Sequence, residues 1–188
     1  MVISDKFEYV FFQRPRTACS TTGAILEKYY GGVSILEKHS TYSDFLKYAS
    51  IKQKSYQIFA GRRNPLDQMV TQYYRLLNGS IENQRVASDF KDFLTHFDDS
   101  LFNRYFRNNN AGVQFYITYE NINEDFSKML KMCGIKQTQA FPRKKGGTSG
   151  KGYYLNEYDT PELRRLAVSK FSEMMRIEGY DFPKEWFE

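Results

Sequence analysis

Cysteine is scarce in this chain, with two residues in 188. Two thiols, Cys19 and Cys133, do not make a disulfide framework, so both are read as reduced. Long apolar runs are absent as well. The longest early one is Tyr9 to Phe12, far short of the ~20 residues a membrane span needs. The first residues, Met1-Val2-Ile3-Ser4-Asp5-Lys6, lack the apolar core of a signal peptide, and a cytoplasmic location is expected. No His, Cys and Asp cluster has metal-ligand spacing, so no metal is expected. The phosphate loop with the spacing Gly-x-x-x-x-Gly-Lys-Ser/Thr is missing too, which counts against an ordinary P-loop kinase or ATPase. Histidine occurs only at 39 and 96.

What the chain does have is aromatic mass and a mild positive charge. Phe, Tyr and Trp make up 17%, and 27 basic against 22 acidic side chains leave +5. Charged residues at 26% and hydrophobic ones at 41% describe a folded chain that can bury its own core. The positive balance suits an anionic ligand, and equally a solvated basic surface. The length fits one domain over 1–188.

The apolar pattern alternates strand with helix. Strands are predicted at Glu8–Gln13, Val33–Leu36, Ser55–Gly61 and Val113–Tyr119. Helices are predicted at Ser20–Tyr30, with Ser20 or Thr21 as cap, then at Thr41–Ala49 and from Asn64-Pro65 to Leu77. Further helices are predicted at Phe90–Phe97, Ser100–Arg107, Asn123–Cys133 and from Thr160-Pro161 to Gly179, with a turn at 108–112. Such alternation implies βαβ units and an α/β fold with a mainly parallel sheet covered on both faces. Ligands of such sheets bind at the carboxyl ends of the strands, where three candidate motifs fall.

The first motif is Arg14-Pro15-Arg16-Thr17-Ala18-Cys19-Ser20-Thr21-Thr22. A strand-to-helix loop aims backbone N–H groups and a helix dipole at one point. Small residues allow close approach, hydroxyls donate, and Arg16 adds a permanent cation. From this loop alone, a phosphate cradle and an ordinary capped turn stay equally open. The second motif runs Arg62-Arg63-Asn64-Pro65-Leu66-Asp67 through Thr71 to Tyr73-Tyr74. Arg63 stands just before a helix start, with Thr71 two turns in.

Pro15-Arg16-Thr17-Ala18-Cys19-Ser20-Thr21 resembles the Pro-Lys-Thr-x-Ser-Thr-Ser loop of the sulfotransferases, in the form found in the heparan sulfate 2-O-sulfotransferases and their uronyl relatives. Arg63, Pro65, Thr71, Tyr73 and Tyr74 are similar in kind and order to that family's second motif. The resemblance implies a P-loop-like three-layer α/β/α fold. It also implies 3′-phosphoadenosine 5′-phosphosulfate (PAPS) as sulfuryl donor. Arg16, Thr17, Ala18, Cys19, Ser20, Thr21 and Thr22 would then wrap the 5′-phosphosulfate, and Arg63 and Thr71 would meet the 3′-phosphate. Arg16 stands where the family has lysine; it keeps the charge but is a poor proton donor.

Lys38-His39-Ser40-Thr41-Tyr42-Ser43-Asp44-Phe45 resembles the Gly-His-x-x-Phe-x-Asp/Glu-Phe stretch in which the family's base stands. His39 is therefore the expected base, with Glu37 and Asp44 behind it. His96 reads as structural. The basic, glycine-rich stretch 143–152 is expected to act as a lid, with Arg143, Lys144 and Lys145 on the nucleotide. The acceptor is left open among a small molecule, a lipid and a glycan. Two other classes stay in view: a nucleotide kinase-like enzyme, and a non-catalytic nucleotide- or nucleic-acid-binding protein. An inactive member of the sulfotransferase family is a further reading.

Overall fold

The computed structural model describes residues 1–78, 87–98, 111–142 and 152–188. In chain order its elements are β1 (Val2–Ser4), β2 (Tyr9–Phe12), α1 (Cys19–Tyr29), β3 (Val33–Ser34), α2 (Tyr42–Tyr48), β4 (Gln57–Arg62), α3 (Pro65–Leu77), α4 (Phe90–His96), β5 (Phe115–Thr118), α5 (Ile122–Met132) and α6 (Pro161–Glu178), joined by short 3-10 turns. The helix expected at 100–107 lies outside the described residues, as do most of the turn at 108–112 and of the loop at 143–152. The chain groups into two compact units, Met1–Arg62 with Phe102–Lys145, and Arg63–Leu101 with Gly146–Glu188.

The first unit holds the sheet, in the order β3-β1-β2-β4-β5. β2 pairs with β4 and β4 with β5 in parallel, while β1 is antiparallel to both β2 and β3. The fold is thus α/β with a mixed sheet, where a mainly parallel one was expected. The difference comes from β1. Its three residues fold back on β2 through a short turn in which Glu8 takes φ 53, and so enter the sheet between β2 and β3. Three residues are too few for an alternation pattern to register.

Successive side chains of a strand point to opposite faces, and the core divides accordingly. Val2, Tyr9, Phe11, Phe59 and Ile117 pack with Leu26 of α1 and with Phe126, Met129 and Leu130 of α5. Ile3, Val10, Phe12, Ile58 and Ala60 pack with Phe45 of α2. Phe11, Phe59 and Phe126 are fully buried, each gaining about 1.5–3 kcal/mol from leaving water. α1 and α5 thus pack on one face of the sheet and α2 on the other, and the loops considered below follow β2, β3 and β4.

The second unit is helical among the described residues. α3 begins as its sequence dictates: Asn64 Oδ1 accepts from the Leu66 N–H at 2.9 Å, and Pro65 occupies the first helical position. Thr160 caps α6 in the same way, accepting from Leu163 N–H, and Gly179 at φ 70 closes it. Phe90 of α4 packs against Tyr73 and Tyr158, and the Tyr158 hydroxyl donates to the Leu66 carbonyl at 3.1 Å.

Candidate active site

The loop that leaves β2 is wound tightly. Arg14 N–H turns back to the Phe12 carbonyl at 3.0 Å. Arg16 and Ala18 both take left-handed backbone conformations, at φ 62 and 59. For residues with a Cβ this costs on the order of 1–3 kcal/mol each, and such strain persists only where surrounding contacts enforce it. Here they do. Thr17 Oγ1 donates to the Arg14 carbonyl at 2.9 Å, and Gln13 Nε2 donates to the Cys19 carbonyl at 3.2 Å. Thr17 is also seated on Gly61 of β4, where an added Cβ would stand 2.1 Å from Thr17 Oγ1.

α1 opens at Cys19, with Ala18 as its cap and no side-chain cap hydrogen bond. This corrects the expectation that Ser20 or Thr21 caps the helix. The left-handed turn at Ala18 ends the loop earlier than a Ser-Thr-Thr cap would, and so carries Ser20 and Thr21 into the first helical turn. The first N–H groups of a helix have no partner within it, and the macrodipole concentrates positive potential there. Ser20 and Thr21 are exposed at this end. Thr22 N–H and Oγ1 both donate to the Ala18 carbonyl, at 3.1 and 3.2 Å, and Thr17 is buried. The hydroxyls of Thr17 and Thr22 therefore build the loop. Burial pushes the Cys19 thiol up, keeping it protonated at neutral pH.

Cations gather around this loop. Arg14 follows β2 and Arg62 ends β4; their guanidinium carbons lie 5.7 and 3.7 Å from the ring centre of Tyr116 on β5. Arg14 is almost wholly buried and Arg16 half-buried. Arg14, Arg62 and Tyr116 were not anticipated as site residues. The signal available was their position: each arginine stands at the carboxyl end of a predicted strand. Their joint stacking on one ring depends on the register that sets Tyr116 opposite Ala60.

The segment after β3 is laced onto the same loop by two consecutive residues. Lys38 Nζ donates to Ser20 Oγ at 2.7 Å. His39 Nδ1 lies 2.5 Å from the Gln13 carbonyl oxygen. A carbonyl only accepts, so the proton sits on Nδ1 and the neutral ring keeps its lone pair on Nε2. Burial holds the His39 pKa below the usual imidazole value; Lys38 and Arg16 add to this and the Gln13 contact opposes it. An open depression of about 510 Å³ is lined by Leu36, Glu37, Lys38, His39, Ser40 and Asp44. Asp44 Oδ2 accepts from the Thr41 N–H and hydroxyl, completing a capping box at the start of α2.

Arg63 belongs to the second unit. Its Nε and one terminal nitrogen grip the two carboxylate oxygens of Asp67 at 2.8 and 2.7 Å, both side chains largely buried. Its carbonyl accepts from Gln68 Nε2 at 2.8 Å. Thr71 is half-buried on α3. His96 ends α4 with Nδ1 2.8 Å from the Asp92 carboxylate. Arg143, Lys144 and Lys145 lie outside the described residues. Arg16 through Thr22, Lys38 and His39 are thus together in one unit, with Arg63 and Thr71 in the other. Among the described residues no group of three or more His, Cys, Asp or Glu could hold a metal ion, and no helix is long and apolar enough to cross a membrane.

No protein-family model, curated protein or solved structure matches the chain.

Proposed function

We propose that this protein is a PAPS-dependent sulfotransferase with a P-loop-like three-layer core, acting on a hydroxyl or amine. The observation that carries the reading is the contact between His39 and Gln13. It holds an imidazole with its lone pair on Nε2 beside the loop that concentrates positive potential.

The reaction divides between these two parts. PAPS supplies a sulfuryl group bonded through oxygen to its 5′-phosphate. The acceptor oxygen or nitrogen attacks sulfur in line with that bond, and its proton passes to His39 Nε2. The sulfur–oxygen bond to phosphate breaks, and its electron pair stays on the phosphate. The growing charge there is met by the N–H groups that open α1, by the Ser20 and Thr21 hydroxyls and by Arg16. The stretch 14–22 resembles the sulfotransferase loop for this end of PAPS. Assignment of the 3′-phosphate to Arg63 and Thr71 rests on the resemblance alone. Most of the rate gain in such a transfer comes from positioning and charge stabilisation, with a general base adding about 10²–10⁴-fold.

The direct experiment incubates the protein with sulfur-35 PAPS and a panel of polyols, amino sugars, phenols and amines. The reading expects label in at least one product, lost with His39→Ala. Nucleotide binding without transfer to any class would leave the chain a nucleotide-binding protein.

A further inference from the structure

We propose that Lys38 is the group that contacts the sulfuryl moiety of the donor. Its ammonium moves from its resting contact with Ser20 onto the sulfuryl oxygens when PAPS binds. This deepens the proposed sulfotransferase reading and rests on it.

The Lys38 ammonium touches Ser20 at the opening of α1, 2.7 Å away, across 18 residues of sequence. The next residue, His39, is fixed by its own ring to Gln13 at the other end of the same loop. A phosphate held at the α1 opening and a proton taken up at His39 leave one place for the sulfur, between the two. Lys38 spans that place, its backbone joined to the base and its Nζ at the loop. It is exposed, so the ammonium is free to shift by a rotamer change, and it lines the open depression that also holds His39. Ser20 is a neutral acceptor, and an oxygen of the anionic sulfuryl group is a stronger one. An ammonium on a flexible stem is suited to such a change of partner, whereas the half-buried Arg16 offers a planar fork from a strained backbone. The charge at 38 is sensed by His39, whose neutral form it helps to favour.

The test compares two ligands that differ only by the sulfuryl group. PAPS and 3′-phosphoadenosine 5′-phosphate are titrated calorimetrically into wild-type protein, Lys38→Met, Lys38→Gln and the control Lys28→Ala. Loss of one charge-assisted contact predicts about tenfold weaker PAPS binding in both Lys38 variants, with the desulfated nucleotide changed by no more than about twofold. Lys28→Ala should bind both ligands as wild type does. Equal weakening of both ligands, or of neither, overturns the role of Lys38 while leaving the sulfotransferase reading intact. Failure of wild-type protein to bind either nucleotide overturns that reading, and this proposal with it. Melting curves of the same samples separate a folding defect from a binding one.

Discussion

His39 donates its Nδ1 proton to the carbonyl oxygen of Gln13 across 2.5 Å. Gln13 follows β2 directly and also ties down the α1 opening through its side-chain bond to the Cys19 carbonyl. One residue therefore sets both the tautomer of the His39 ring and the shape of the loop that opens α1. His39→Ala should leave the affinity for 3′-phosphoadenosine 5′-phosphate within about twofold while turnover falls about 10²–10⁴-fold. Titration calorimetry and the labelled-PAPS assay read the two effects separately. Equal turnover in variant and parent would remove His39 from the mechanism.

The pH dependence follows from the direction of the His39 shift. In the proposed mechanism the neutral imidazole is the active form, and burial holds its pKa below the usual value. The acid limb of kcat/KM should therefore fall below the ordinary imidazole range, losing about tenfold per pH unit beneath the lowered value. Stability should follow the same sign. The unfolded chain binds the proton at a higher pH than the native one, so native stability declines as pH drops from the ordinary imidazole value toward the lowered one. An NMR titration of the His39 ring measures the shift.

Gly61 is a contact point between β4 and the loop that precedes α1. A Cβ there would stand 2.1 Å from Thr17 Oγ1 and 2.7 Å from Thr17 Cβ. Gly61→Ala should cost about 1–3 kcal/mol of stability through overpacking and weaken nucleotide binding, because Thr17 cannot retreat without unwinding the turns at Arg16 and Ala18. Gly61→Ala combined with Thr17→Gly should recover part of the stability. Denaturant melts of the single and double variants provide the check.

Arg63 and Asp67 form a buried two-pronged ion pair. Removing either partner strands a buried charge, which costs about 3–5 kcal/mol in such pairs. Arg63→Ala and Asp67→Asn should both lower the melting temperature. Binding separates them. With Arg63 as a ligand of the 3′-phosphate, Arg63→Ala weakens the nucleotide sharply. Asp67→Asn keeps or tightens its affinity, because the competing carboxylate charge is gone. Equal losses in both variants would assign the pair to the fold alone.

Which features were legible in the sequence depends on how local their physics is. The start of α3 could be read because Asn64 and Pro65 act on their own turn. Gly31 could be read as the end of α1 because it leaves the helix at φ 66, a region that favours glycine. The cap of α1 was misplaced: Ser20, Thr21 and Thr22 are good caps by composition, but the chain turns at Ala18 through a conformation that no residue type there advertises. β1, at three residues, lies below any periodic signal, whereas the strand read at Val33–Leu36 is present as the shorter β3, Val33–Ser34. His39 was singled out from its motif and its place after a predicted strand. Its ties to Gln13, and those of Lys38 to Ser20, join residues 26 and 18 apart and follow from tertiary register. Asp67 is an acid in the first turn of α3, and its grip on Arg63 is a second role that a spacing of four permits.

The proposed function requires this chain to bind a doubly phosphorylated adenosine. The most direct measurement is the melting temperature with 3′-phosphoadenosine 5′-phosphate, with ATP and with neither. At about 100 times its dissociation constant, the first nucleotide adds about 2.7 kcal/mol of stability, which for a chain of this size raises the melting temperature by about 5–10 °C. The account predicts that shift with the 3′-phosphorylated nucleotide and a much smaller one with ATP. A shift with ATP and none with 3′-phosphoadenosine 5′-phosphate would contradict it.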